Sequence, residues 1–512
     1  MKETVAMLKP KGGSGSPLRG ADAGERATAL YIYCMLLVYP LFTGLHGYAR
    51  VTDSKFWFFA GATGLWLLFL LLSGIRKREK PDCQGRQTAE KLITVYLALC
   101  IVSALLSPYR TKTFLGAGRY DGLLTTALCC FIFLGIAHYG KLRTGYVYAA
   151  ALGASTNCII AILQLFGKNP LWLFPGSYTF FDAGVSFSSV FLGTIGNADL
   201  FSAYLCLVLP LTAGRYLTAE KRPLVLAPAI VLMGLCLFAS GVSGGVLALA
   251  ACILIAAPFL ITSSERLCRA LEFSVLLCLA AFFATPLHVA MPAGGGAVSV
   301  PMRFSERSFL FLFGAAVFVL LRLLTARKKF RSRPLRRFFT CLSVAVLVLG
   351  VAAVYFYAGS SGTVYELSQV MHGHIEDSYG SSRVRIWRRA LALFREHPLF
   401  GGGPGTIVER LEVRFSRVVP ETGETLKSFA DNAHNVYLGI LVNTGLLSLL
   451  AYLAAIAASL RKAARRDTES AAPLVAALLC FWVQDFFGLG LFLVAPLMWL
   501  LWGLLVKASV PE

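Results

Sequence analysis

The sequence predicts an all-α polytopic membrane protein, with about 12–14 transmembrane helices and one large extracytoplasmic loop containing an amphipathic helix. Three observations lead there. The 512 residues are 57% hydrophobic and only 15% charged, with a mean hydropathy of +0.67, whereas soluble domains are roughly 25% charged. Apolar runs of about 18 or more residues recur from end to end, each long enough to cross about 30 Å of hydrocarbon. Lys and Arg collect in alternate connections between those runs, which is the positive-inside pattern.

Residues 1–27 are rich in Lys, Gly and Ser and read as a disordered cytosolic tail. No short apolar stretch followed by a small-residue cleavage site precedes the first run, so that run is expected to be retained. Spans are expected near 28–47, 55–74, 90–107, 121–138, 145–166, 197–217, 223–241, 243–263, 270–291, 308–325, 338–357, 434–460, 471–486 and 489–507. With the amino terminus inside, the inside connections hold about 31 of the 48 Lys and Arg. Examples are "IRKREK" (75–80), "RKKFRSRPLRR" (327–337) and "RKAARR" (461–466). The net charge of +21 is therefore topological and calls for no nucleic-acid partner. Of 13 Cys, eleven fall within spans, while Cys83 and Cys268 fall in inside connections, so no structural disulfide is expected.

The chain divides into an N-terminal transmembrane region (28–357), a large extracytoplasmic loop (358–433) and a C-terminal transmembrane region (434–512). Two shorter outside segments, 107–122 and the aromatic, Gly-rich 167–196, are also long enough to carry chemistry. No solenoid repeat or inverted repeat is present. Inside the large loop, "SSRVRIWRRALALFREHPLFGGGPG" reads as a helix that Ser381 or Ser382 can cap and that His397-Pro398 stops. At about 100° per residue, Ile386, Leu393, Ala390, Phe394, Trp387 and Leu391 share one arc, and Arg385, Arg388, Arg389 and Arg395 the other. Arg383 projects from the apolar arc. It must either bend away at the first turn or meet an anion where the helix packs onto the membrane region.

Motifs for nucleotide chemistry are missing: there is no G-x-x-x-x-G-K-[ST] and no D-x-D. The "GGGPG" run (401–405) lacks the strand–loop–helix setting of a phosphate cradle and reads as a flexible turn. His372, His374, Glu376 and Asp377 lie close in sequence, but two His without a third fixed ligand are a weak metal signal. His434 differs in its company, because it opens a span with Asn435 beside it and Tyr437 on the same helix face. An imidazole there is either an interfacial anchor or a group that takes a proton from a substrate hydroxyl near neutral pH.

The block from Ser381 to Leu450 resembles the membrane domain of the O-antigen ligase/O-antigen polymerase family. Its pattern appears in order as Arg383, Trp387, "EHPLFGGGPG", "NAHNVYL" and "NTGLLSLL". Weaker likenesses are "GAGRYDGLLT" (116–125), "LGTIGNADLFSAYLCLVLPL" (192–211) and "FWVQDFFGLGLFLVAPLMWLLWGLL" (481–505), the last similar to Gram-positive-type members. Together they cover roughly 90–505. One departure stands out: where many members carry Ser-Arg-Gly, this chain has Ser243-Gly244-Gly245. Arg215 lies at the inner end of its span, so a replacement charge would have to come from Arg119, Arg303 or Arg307.

The resemblance implies glycosyl transfer at the outer face of the bacterial cytoplasmic membrane, from an undecaprenyl-diphosphate-type lipid-linked glycan. The acceptor hydroxyl would belong to a glycan, lipid, protein or wall polymer. Arg383 and Arg119 would neutralise the diphosphate. His434 would orient or deprotonate the acceptor, and Asn435 and Tyr437 would complete the substrate site. No metal or cofactor is then required. A flippase or transporter of lipid-linked glycans, which would need charges near mid-membrane, is the alternative, and a non-catalytic envelope-assembly scaffold is a third reading.

Overall fold

A computed structural model describes residues 23–77, 88–166, 168–174, 191–289, 306–418, 425–464 and 470–509. The described residues are 75% helical. Its helices are α1 (Ala23–Tyr33), α2 (Tyr39–Leu41), α3 (Val51–Lys77), α4 (Thr88–Leu106), α5 (Arg110–Thr113), α6 (Leu123–Tyr139) and α7 (Gly145–Leu165). They continue as α8 (Ala198–Thr218), α9 (Leu226–Ala239), α10 (Ser243–Leu260), α11 (Ser264–Val289), α12 (Glu306–Thr325) and α13 (Ser332–Tyr355). After them come α14 (Thr363–Met371), α15 (Tyr379–Glu396), α16 (Val408–Leu411), α17 (Val436–Ala463), α18 (Ala471–Gln484) and α19 (Ala495–Ala508). The only strands among the described residues, β1 (Arg414–Val418) and β2 (Thr425–Phe429), pair antiparallel with Arg414 opposite Phe429.

Among the described residues nine helices are long and apolar enough to cross a membrane, and α6, α9, α18 and α19 are shorter apolar helices. Each expected span has a helical counterpart, the first being α1 continued through a π-turn (Cys34–Val38) into α2. α1 begins at Ala23, inside the expected tail, whose residues 1–22 lie outside the described part. The described cysteines are free thiols, most of them buried. α8 is the axis of the bundle: 94% of its apolar window is buried, against 0% for α13. A helix apolar all round belongs in the middle, where neighbours rather than lipid cover every face.

α17 is where fold and site meet. It breaks at Gly445 (φ 84°), whose left-handed backbone lies against the Leu399 carbonyl, where any side chain would collide. The break frees the carbonyls of Val442 and Asn443, and the "HPLFGGGPG" segment inserts against them. Gly402 N–H donates to Val442 O (3.1 Å) and Gly403 N–H to Asn443 O (2.7 Å), while Leu446 N–H donates to Pro398 O (2.9 Å). Ser103 Oγ also donates to Asn443 O (3.0 Å), and the buried Arg410 reaches Val442 O (3.3 Å). The glycine run is thus a plug whose missing side chains let it lie against a helix backbone. This corrects its reading as a flexible turn, because backbone groups buried between packed segments are too costly to leave unpaired.

α15 docks on α17 through Ile386, Ala390 and Leu393, which share a small core with Ile407, Leu411 and Val442. Its approach is not a capped start. Gly380, Ser381 and Ser382 are left-handed (φ 62°, 57° and 65°), whereas a capping serine needs extended backbone. The opposite arc is less free than its composition implies: Arg388 pairs with Asp377 at 2.6 Å, and Arg389 reaches Arg410 O and Glu412.

Candidate active site

Three left-handed, non-glycine positions mark the site, and such backbone costs energy that the surroundings must supply. Tyr120 (φ 53°) follows Arg119, Ser382 precedes Arg383, and His434 itself has φ 47°. His434 is held from both sides. Its N–H donates to Asn432 Oδ1 (3.0 Å), Trp387 Nε1 donates to Ala433 O (2.9 Å), and Val436 N–H donates to Asp485 O (2.9 Å). Asn435, buried, caps α17 by accepting the Leu438 N–H at 2.9 Å. His434 Nδ1 is buried and makes no hydrogen bond.

Four charges act on that imidazole: Arg383, Asp199, Asp431 and Arg119. Arg383 Nη2 stands 3.8 Å from Asp199 Oδ2, too far for a hydrogen bond, and Arg119 Nη2 pairs with Asp431 Oδ2 at 2.5 Å. Burial lowers the pKa of His434 below its ordinary 6.5, Arg383 lowers it further, and Asp199 and Asp431 oppose the shift. The ring is therefore neutral at pH 7 and retains a lone pair for a proton. Nearby, burial pushes Asp121 up to about 6.

The predicted residues separate into two groups. Arg383, Arg119 and His434 meet in one electrostatic cluster although they stand far apart in sequence. Asn435 and Tyr437 secure the helix instead: one is the cap, and the Tyr437 hydroxyl donates to Trp482 O (2.6 Å) inside the bundle. Arg215 lies in the last turn of α8, 16 residues from Asp199, or about 24 Å along the axis. Arg307 is exposed at the start of α12, and Arg303 lies outside the described residues. At Gly244, where many members of the family resembled carry Arg, a Cβ would come within 3.0 Å of the Phe487 side chain.

His372 stacks on Tyr355 and bonds Ser368 O, His374 bonds Gln369, and Asp377 is paired with Arg388. Among the described residues no group of three or more His, Cys, Asp or Glu is placed to hold a metal ion. Sequence reasoning missed Asp199 and Asp431, the carboxylates facing the two arginines. The available signals were the acidic residue in "GNAD", where it opens a span, and the Asp that begins "DNAHN".

Fold and site together define a multi-pass α-helical membrane protein that gathers one neutral imidazole and two guanidinium groups at one end of its bundle. Residues 295–453 match the family model for O-antigen ligase, a stretch that includes Arg383, Trp387 and His434. Those residues carry an O-antigen ligase domain, about a third of the chain, and this supports membership of that family of membrane proteins of polysaccharide biosynthesis. Glycosyl transfer in polysaccharide assembly is the role that accompanies the domain. No curated protein matches the chain.

Proposed function

We propose that the protein transfers a glycan from a polyprenyl diphosphate to an acceptor hydroxyl at the outer face of the bacterial cytoplasmic membrane. The observation that carries this reading is the neutral, unpartnered His434 Nδ1 under the charges of Arg383 and Arg119. In the reaction the bond between the anomeric carbon and the diphosphate oxygen breaks, and a bond from the acceptor oxygen to that carbon forms. The acceptor proton passes to His434, and polyprenyl diphosphate leaves with the bonding electrons. Arg383, held only loosely by Asp199, turns its planar fork to the diphosphate, and Arg119 adds the second positive charge. Asn435 and Tyr437 serve the reaction by holding the start of α17 in place.

The flippase reading needs unpaired charge near mid-membrane. Glu272 and Arg322 are paired at 3.0 Å, with Arg222 also on Glu272 at 3.2 Å, and the buried Asp485 sits at the end of α18, so that each lies towards a span end, which favours transfer. The test is purified protein in proteoliposomes with a polyprenyl-diphosphate glycan and candidate acceptors. Transfer should persist in EDTA, since guanidinium groups neutralise the diphosphate. A strict requirement for Mg²⁺ or Mn²⁺ would overturn this account of the leaving group. Glycan profiling of a deletion strain separates polymerase, which loses long chains but keeps short repeats, from ligase, which strands full-length chains on the carrier.

A further inference from the structure

A polar chamber of about 130 Å³ lies beside the first turns of α17, lined by Asn435, Asn443, Thr444, Asp121, Thr125 and Asp485 among others. Two of its buried oxygens are unpartnered, although the Asn432, Asn435 and Asn443 amides and the Tyr96 and Tyr452 hydroxyls also line it. Asp485 is 1% exposed and its Oδ1 has no hydrogen-bond partner; Asn443 Oδ1 also has none. The Thr444 hydroxyl donates to Ile440 O (2.9 Å) and that of Thr125 to Tyr120 O, so each turns only lone pairs to the chamber. No Lys, Arg or His lines it. Of the guanidinium groups nearby, Arg119 is bound to Asp431, and Arg410 to Thr406 and the Val442 carbonyl.

Buried oxygen acceptors need a donor or a cation, and a carboxylate in such a place needs countercharge. Broken membrane helices are established settings for hard monovalent cations, and α17 breaks at Gly445, next to Thr444; the plug takes the carbonyls freed there, so the oxygens left are those of side chains. We propose that this chamber binds one monovalent alkali cation, sodium or potassium, through Asp485, Asn443 and Asp121, with Thr444 adding an oxygen. The ion joins the end of α18 to the first turns of the broken α17, and so steadies the plug, whose Pro404 and Gly405 line the same chamber. The proposal is independent of the transfer chemistry, since it can be tested without donor or acceptor.

The experiment uses the purified full-length chain in detergent. Thermal unfolding is followed in sodium, potassium and choline chlorides at one ionic strength, with equilibrium binding of radioactive sodium measured alongside. A saturable rise in Tm with one alkali cation, and about one ion bound per chain, is expected. Asp485→Asn keeps the shape and removes the charge, and should weaken binding at least about tenfold. Should that variant not fold, Thr444→Val, which removes one oxygen, should still weaken it, while Asp377→Asn on the exposed surface leaves it unchanged. Equal Tm in all three salts, no stoichiometric binding, or undiminished binding by Asp485→Asn and Thr444→Val would each overturn the proposal and leave a chamber filled by water alone.

Discussion

Replacing Arg383 by Lys separates the charge of the guanidinium group from its planar fork. Arg383 Nη2 is 3.8 Å from Asp199 Oδ2, with both side chains partly exposed (21% and 28%). At that distance no hydrogen bond is lost on substitution, and the change in stability should stay within about 0.5 kcal/mol. Activity should respond very differently. A charge-assisted hydrogen bond to phosphate is worth about 1.5–3 kcal/mol, which corresponds to roughly 10–150-fold in kcat/KM. The matched control is Arg388→Lys, because Arg388 also forms an ion pair, with Asp377 at 2.6 Å, but both partners are more than half exposed. Its pair contributes about 0.2–1 kcal/mol to stability and none to the site. The assay is kcat/KM for transfer together with donor affinity in proteoliposomes, at equal amounts of folded protein. Equal activity of the two variants would refute the placement of the diphosphate at Arg383.

His434→Ala should slow transfer by about 10²–10⁴-fold while donor affinity stays nearly unchanged, because the imidazole meets the acceptor; normal turnover would remove it from the chemistry. The pKa of His434 lies below 6.5, so the rate should be flat near pH 7 and fall only as acid protonates the ring. Arg383→Gln removes a charge that depresses that pKa and should move the acid limb to higher pH, whatever the residual rate. Gly401→Ala places a methyl group against the backbone of Asn443 and Thr444 at a left-handed position (φ 68°). It should cost at least about 1–3 kcal/mol, read as a lower Tm, and Gly350→Ala, where nothing lies within 4 Å, should not. For orientation, Gly362→Cys in a Cys-depleted background should react with an impermeant maleimide in intact cells and Ser332→Cys should not; the reverse would place the site in the cytosol.

The amino-acid sequence by itself determined the class of the protein and the position of nearly every membrane helix, because a bilayer imposes one length and one polarity on whatever crosses it. It also singled out Arg383 and His434 as candidates, since a positive charge on an apolar arc and an imidazole at the start of a span both conflict with their surroundings, and Arg119 through the family resemblance alone. Tertiary structure alone decided what those residues face. Asp199 reaches Arg383 and Asp431 reaches Arg119 from other segments, and no periodicity along one helix encodes a meeting of residues up to 315 positions apart. Tyr437 follows His434 by three residues, yet His434 lies outside α17 with left-handed backbone, and the Tyr437 hydroxyl turns to Trp482 because α18 offers a carbonyl there. The glycine run was legible as a turn, but its purpose depends on the break at Gly445, more than 40 residues further on. Backbone hydrogen bonds between distant segments leave no pattern in residue type beyond the absence of side chains, so only the folded chain shows that the loop completes the helix.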